Sequence, residues 1–233
     1  MTSSVPSSSP VAMTETVDLR AMLRREDHRL VLENQRFENR VFREFTLSGD
    51  PERPLEIRNV TFAGGGTDQG AAMMVGNVTV SKVVFSDFDC GEELRIDAEA
   101  VLDDVVLEGS RPGRLWIGPS MASEDAADRQ VHHARYGLDI SKFRGEVVIT
   151  GVPTARVHID PERHIRVTRA RFEGIDWARL GLDPFSLPRL SVRKLENQRV
   201  DEGIFGLPPP SNPHFASTKA AWERLRAEGL LSP

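Results

Sequence analysis

The sequence predicts an all-β protein whose chain winds into a solenoid, and two observations carry that expectation. In "QRFENRVFREFTLSG", Phe37, Phe42 and Leu47 recur every five residues, a spacing that fits neither the helical repeat near 3.6 nor the strand repeat of two. From Gln35 to about Asp183, short Val, Ile, Leu and Phe segments alternate with Gly, Pro, Asp and Asn, as in all-β chains. A five-residue unit with an inward central side chain forms one side of a square coil, and four such units complete a turn of about twenty residues.

Taken in order, residues 1–14 are rich in Ser, Thr and Pro and read as a flexible arm. Residues 15–34 read as an N-terminal helix or cap, because Leu19, Met22, Leu23 and Leu30 lie near helical spacing behind Asp18. Residues 35–183 form the solenoid domain. Within it the five-residue sets are Phe37, Phe42, Leu47; Leu55, Val60; Val78, Val83, Phe88; Leu102, Leu107; Leu138, Phe143, Val148; and Phe172, Trp177, Leu182. The tripeptides LEI, LRI, LWI, LDI and VHI, starting at Leu55, Leu94, Leu115, Leu138 and Val157, recur at intervals of 39, 21, 23 and 19. The first interval reads as two turns, and the domain as about seven coils. Residues 184–233 form a Pro-rich arm and a C-terminal helix, with Ser217 as cap, Ala221, Trp222 and Leu225 as the apolar stripe and Gly229 as the stop. The alternative fold is a β-sandwich or jelly roll, in which Asp160 and Pro161 would turn a hairpin.

"RNVTF", "GNVTV", "SDFDC" and "IDWAR" place Asn or Asp just before Val60, Val78, Phe88 and Trp177. In this the chain resembles the pentapeptide-repeat family, whose units carry a small residue, Asn or Asp, a central Leu or Phe and two polar positions. Before Phe37, Phe42 and Leu47 the small residue is replaced by Gln35, Arg40 and Phe45. The resemblance implies a right-handed parallel β-helix and carries over no activity and no functional residue.

A net charge of −5 and a pI near 5.7 argue against binding nucleic acid through excess Lys and Arg. There is no apolar run of about 20 residues and no basic, apolar leader, so a cytoplasmic protein with no membrane partner is expected. The single cysteine, Cys90, has acidic neighbours that would raise its thiol pKa, and it reads as inert. His132, His133, His158 and His164 lack metal-ligand spacing, and no metal or cofactor is expected. "FAGGGTDQG" lacks the Lys and the Ser or Thr of a phosphate loop. No catalytic constellation is visible.

Between Ser86 and Glu108 nine acids face one base, Arg95. Of these Asp87, Asp89, Glu92, Glu93, Asp97 and Glu99 are the candidate partner-binding acids. Basic residues gather from Arg156 to Arg171, so a polarised rod could add to copies of itself or dock on a charged partner. Phe185, Phe205, Phe215 and Trp222 lie on the terminal segment and can pack on their own chain or anchor a partner, and Phe205, Phe215 and Trp222 complete the candidate partner-binding set. The expected function is that of a noncatalytic protein-binding module, acting as a subunit of an assembly or as an inhibitor or immunity-type partner. Two alternatives are a parallel β-helix enzyme acting on carbohydrate through Asp139, Asp160 and Glu162, and a DNA-mimic topoisomerase inhibitor with acids along the rod.

Overall fold

Alternating apolar residues drive the strands, and left-handed corner residues turn them. The computed structural model describes residues 16–68, 71–120 and 137–231. An N-terminal cap holds β1 (Thr16–Val17) and β2 (Arg24–Glu26). The first coil follows as β3 (Arg29–Glu38), β4 (Val41–Phe42) and β5 (Thr46–Gly49), the second as β6 (Leu55–Ala63), β7 (Gly66–Thr67) and β8 (Ala71–Gly76). The third contains β9 (Val78–Ser86) and β10 (Glu93–Asp97), the fourth β11 (Val101–Glu108) and β12 (Arg114–Gly118), and the fifth β13 (Leu138–Asp139) and β14 (Glu146–Thr150). After them come β15 (Val157–His158), β16 (His164–Thr168), α1 (Leu187–Gln198), β17 (Glu202–Gly206) and α2 (Phe215–Ala227).

These strands stack as a β-solenoid of about five turns. One sheet runs β2-β3-β6-β9-β11-β13-β15, a second β5-β8-β10-β12-β14-β17-β16, and a short third β1-β4-β7. At about 4.8 Å per coil the stack is about 24 Å long, shorter than the seven coils expected. The coil length also departs from twenty. Leu30 stands over Leu55, Leu55 over Val78, Val80 over Leu102 and Leu94 over Leu115. The tripeptides do not form one column, because those at Leu55, Leu138 and Val157 lie in the first sheet and those at Leu94 and Leu115 in the second.

The five-residue period has its cause in the corners. Asn34, Asn59, Lys82 and Asp104 all have φ between 52 and 57°, and the strand register stacks them in one column. Five residues further on, Asn39, Gly64, Asp87 and Gly109 form a second column at positive φ. Each left-handed residue resets the in-out alternation, so Phe37 and Phe42, on either side of Asn39, both point inward. Asn and Asp accept this conformation more readily than other residues with a Cβ. Asn59 also donates its Nδ2 hydrogen to Asn34 Oδ1 at 2.7 Å, which links two coils.

Inside the coil, Phe37, Phe62 and Phe85 stack at centroid distances of 5.2 and 5.0 Å. Phe42, Phe45 and Phe88 meet this column edge-on or tilted. Burial pushes the Cys90 thiol far above its ordinary range, and Asp89 adds to the effect.

Both ends are covered. At the N-terminus the expected helix is reduced to a 3-10 turn over Arg20–Met22. Arg24–Glu26 instead pairs antiparallel with Arg29–Val31 around Asp27, whose φ is 52°. Leu19 is buried, with Met22, Leu23 and Leu30 packed against the core: the spacing that suggested a helix serves a cap over the open end. Across this cap Arg58 bridges Glu26, Glu33 and Glu56.

At the other end the winding changes. β15 stacks on β13, but β16 does not stack on β14, because β17 inserts between them antiparallel to both. Asp160 and Pro161 lie at a corner between β15 and β16, which belong to different sheets, so the hairpin reading does not hold. Phe172 and Trp177 stack at 5.5 Å in a second core with Leu180, Leu182, Val192, Leu195, Phe205 and Trp222. The last five-residue set is therefore part of the cap and forms no coil. Residues 1–14, His132 and His133 lie outside the described residues.

Candidate functional site

Between the second sheet and the two C-terminal helices lies a groove of about 810 Å³. Val148 of β14, Phe205 of β17 and Trp222 of α2 line its apolar part, and Phe185, Leu187 and Leu190 line its α1 side. Asp183 N-terminal to α1 accepts the Phe185 N–H on Oδ1 and the Ser186 hydroxyl on its carbonyl oxygen, both at 2.8 Å. Pro188 then enters the first turn, where its missing N–H costs nothing. Pro188, Ser191, Val192 and Leu195 face inward. Leu187 and Leu190 are therefore left at the surface, 37% and 38% exposed, beside Phe185 at 81%. These three are the exposed large hydrophobics among the described residues, and they fall within six positions of one another.

The opposite wall is α2. It begins at Phe215, three residues earlier than Ser217 would allow as cap; Ser217 instead donates its hydroxyl to the His214 carbonyl at 3.0 Å. Thr218, Ala221, Trp222 and Leu225 are buried, and Arg224 Nη1 donates to the Leu180 carbonyl at 2.5 Å, fixing α2 to the preceding loop. Trp222 Nε1 is buried with no hydrogen-bond partner among the described residues. On the rim Arg114 holds Glu146 across adjacent strands at 2.8 Å.

The groove brings together Phe205 and Trp222 of the sequence-derived set. Both are buried in the cap core, so they shape the groove without projecting from it, and Phe215 packs half-buried against the same core. The six acids lie elsewhere, on the third coil, and several of them reach toward the fourth. Asp87 accepts the Ser110 N–H at 2.7 Å, Asp89 pairs with Arg111, Glu93 approaches Arg114 at 4.0 Å, and Glu99 accepts the Ser120 N–H at 3.1 Å. Each partner lies one coil further along, so these acids staple the stack. Asp97 is buried at the end of β10, where it accepts the Gly76 N–H at 3.3 Å. Burial holds its carboxyl above the ordinary range. Glu92 is exposed.

Asp139 and Asp160 are likewise engaged, Asp139 by His158 and the Ser141 N–H, Asp160 by Arg144 at 2.8 Å. Of the basic run, Arg163 and Arg166 donate to the backbone carbonyls of Arg144 and Val157, and Arg169 pairs with Asp201. The sequence reading did not bring Arg95, Trp116 and Lys194 together; their convergence depends on strand register and on where α1 lands.

No family model, no curated protein and no solved structure matches the chain. Among the described residues no helix is long and apolar enough to cross a membrane.

Proposed function

We propose that the protein is a noncatalytic binding module, a degenerate relative of the pentapeptide-repeat solenoids, that holds an extended apolar segment of another protein in the groove of its C-terminal cap. The observation that carries this reading is the gathering of Phe185, Leu187 and Leu190 on one rim of the groove. Exposed aliphatic and aromatic side chains beside a concave apolar floor gain by burial against a partner. The solenoid supplies a rigid wall, and the module serves as a subunit of an assembly or as an inhibitor of the protein it holds.

A photo-crosslinking side chain placed at position 185 in the native source tests the reading. The expected result is a discrete cross-linked species that disappears when Leu190→Asp is added. No discrete species, or one indifferent to Leu190→Asp, overturns it. Its mass distinguishes a second copy of this chain from a different protein.

A further inference from the structure

Beyond the apolar groove, the outer face of the second sheet carries a cluster of cations around one indole. Arg95 of β10 and Trp116 of β12 are register partners, and the Arg95 guanidinium lies 4.3 Å from the Trp116 ring centroid. From α1, Lys194 brings its Nζ to 5.6 Å from the same ring. Arg95 Nε is buried with no hydrogen-bond partner among the described residues. Among the described residues neither the Arg95 nor the Lys194 side chain has a hydrogen bond or ion pair within the chain.

Two half-buried cations without a paired acid are costly unless something compensates them. The indole face offers part of that compensation, but it accepts none of the N–H hydrogens. Glu93 is near, yet it lies toward Arg114, and Arg114 is itself held by Glu146. Asp97, two residues from Arg95, also acts on it electrostatically, but it is buried at the end of β10 and accepts the Gly76 N–H, and it makes no ion pair with Arg95. Burial, followed by Arg114 and Arg95, pulls the Lys194 ammonium below its ordinary range, with Glu93 opposing. An anion brought to this point would relieve that strain between like charges.

We infer that Arg95, Trp116 and Lys194 form a receptor for a single carboxylate, supplied by an acidic side chain of the segment held in the neighbouring groove. Arg114 lines that groove and lies two residues from Trp116 on β12, so a segment held in the groove has the cation cluster within its reach. The guanidinium fork of Arg95, with the Lys194 ammonium on the same ring, suits the two oxygens of a carboxylate. The bound segment therefore pairs apolar side chains with an Asp or Glu. This inference rests on the binding reading for the source of the carboxylate, and it is tested separately from it.

The test is a titration of the isotope-labelled full chain, observed at the indole N–H of Trp116, which Trp116→Phe identifies among the three tryptophans. The probes are acetyl-Leu-Glu-Leu-amide, its Gln analogue and inorganic phosphate. The Glu peptide is expected to shift the Trp116 signal to saturation, and the Gln peptide to leave it in place. Lys194→Gln should weaken the Glu peptide by roughly tenfold, while Lys219→Gln on the exposed side of α2 changes nothing. No saturable shift, an equal shift with the Gln peptide, or indifference to Lys194→Gln overturns the site. Phosphate saturating at a lower concentration than the Glu peptide overturns the peptide carboxylate as its ligand. The Gln comparison needs no variant, so it holds even if Lys194→Gln fails to fold. A positive titration with no cross-link at position 185 leaves the carboxylate site standing and removes the groove reading.

Discussion

His164 is buried where β16 begins, and its surroundings keep it neutral. The Asp160 N–H donates to Nδ1 at 3.3 Å, so a proton on Nδ1 would face another proton. Burial first, then Arg163, with Arg144 adding and Asp160 opposing, lowers its pKa to about 4 from 6.5. The folded state therefore binds a proton less readily than the unfolded chain. Its contribution is complete above pH 6.5 and is lost as pH falls toward 4, and that gap corresponds to about 3 kcal/mol. Urea unfolding at pH 7.5 and pH 4.5 should show a stability loss in the wild type that is smaller by roughly that amount in His164→Gln. A second residue-scale prediction concerns Asn59, which combines a positive φ with the Asn34 hydrogen bond. Asn59→Ala should cost about 1–2 kcal/mol, and Asn59→Gly less, since glycine accepts the corner. Equal losses for the two variants would remove the corner from the account.

At the scale of elements, the stacked rings of Phe37, Phe62 and Phe85 hold neighbouring coils in register. Phe62 is fully buried between the other two. Phe62→Ala should cost about 3–5 kcal/mol and Phe62→Leu distinctly less, measured by chemical unfolding. Only Phe37 of this column fell in a five-residue set of the sequence; Phe62 and Phe85 sit two residues beyond Val60 and Val83, and only the strand register aligns them with Phe37. The cap elements were less legible still. Leu19, Met22 and Leu23 recur near helical spacing yet close the end of a coil, and a local pattern does not reveal what it will pack against. "EGIFG" is too short and too close to prolines to announce a strand inserted between two others. The six acids were legible as a cluster, but their partners lie a coil away, and only the register brings them together. Phe205 and Trp222 stood out in the sequence as large aromatic side chains on the terminal segment, but whether they pack on their own chain depends on where β17 and α2 land, and both are buried in the cap.

Considered whole, the molecule is a short stack closed at both ends. β2 covers the β3 edge and the 3-10 turn covers the coil mouth, while β17, α1 and α2 finish the other end. Removing residues 184–233 takes β17 from between β14 and β16 and leaves unpaired backbone on both. Open edges and an uncovered core seek partners. The truncated chain should therefore appear by light scattering as self-associated species, where the full chain gives a discrete mass. A truncated chain that stayed discrete and kept its circular dichroism would show the cap to be dispensable for closure.

The reversed strand also has a consequence in time. A solenoid can wind as its chain is made, each coil settling on the one already present, because every partner lies earlier in the sequence. Here β16 finds its place in the second sheet only through β17, which is synthesised after the whole of α1. β14, already paired with β12, gains its second neighbour only from the same strand. The final coil thus stays open on the ribosome until Glu202–Gly206 has emerged, and a chain halted before that point cannot complete its own surface.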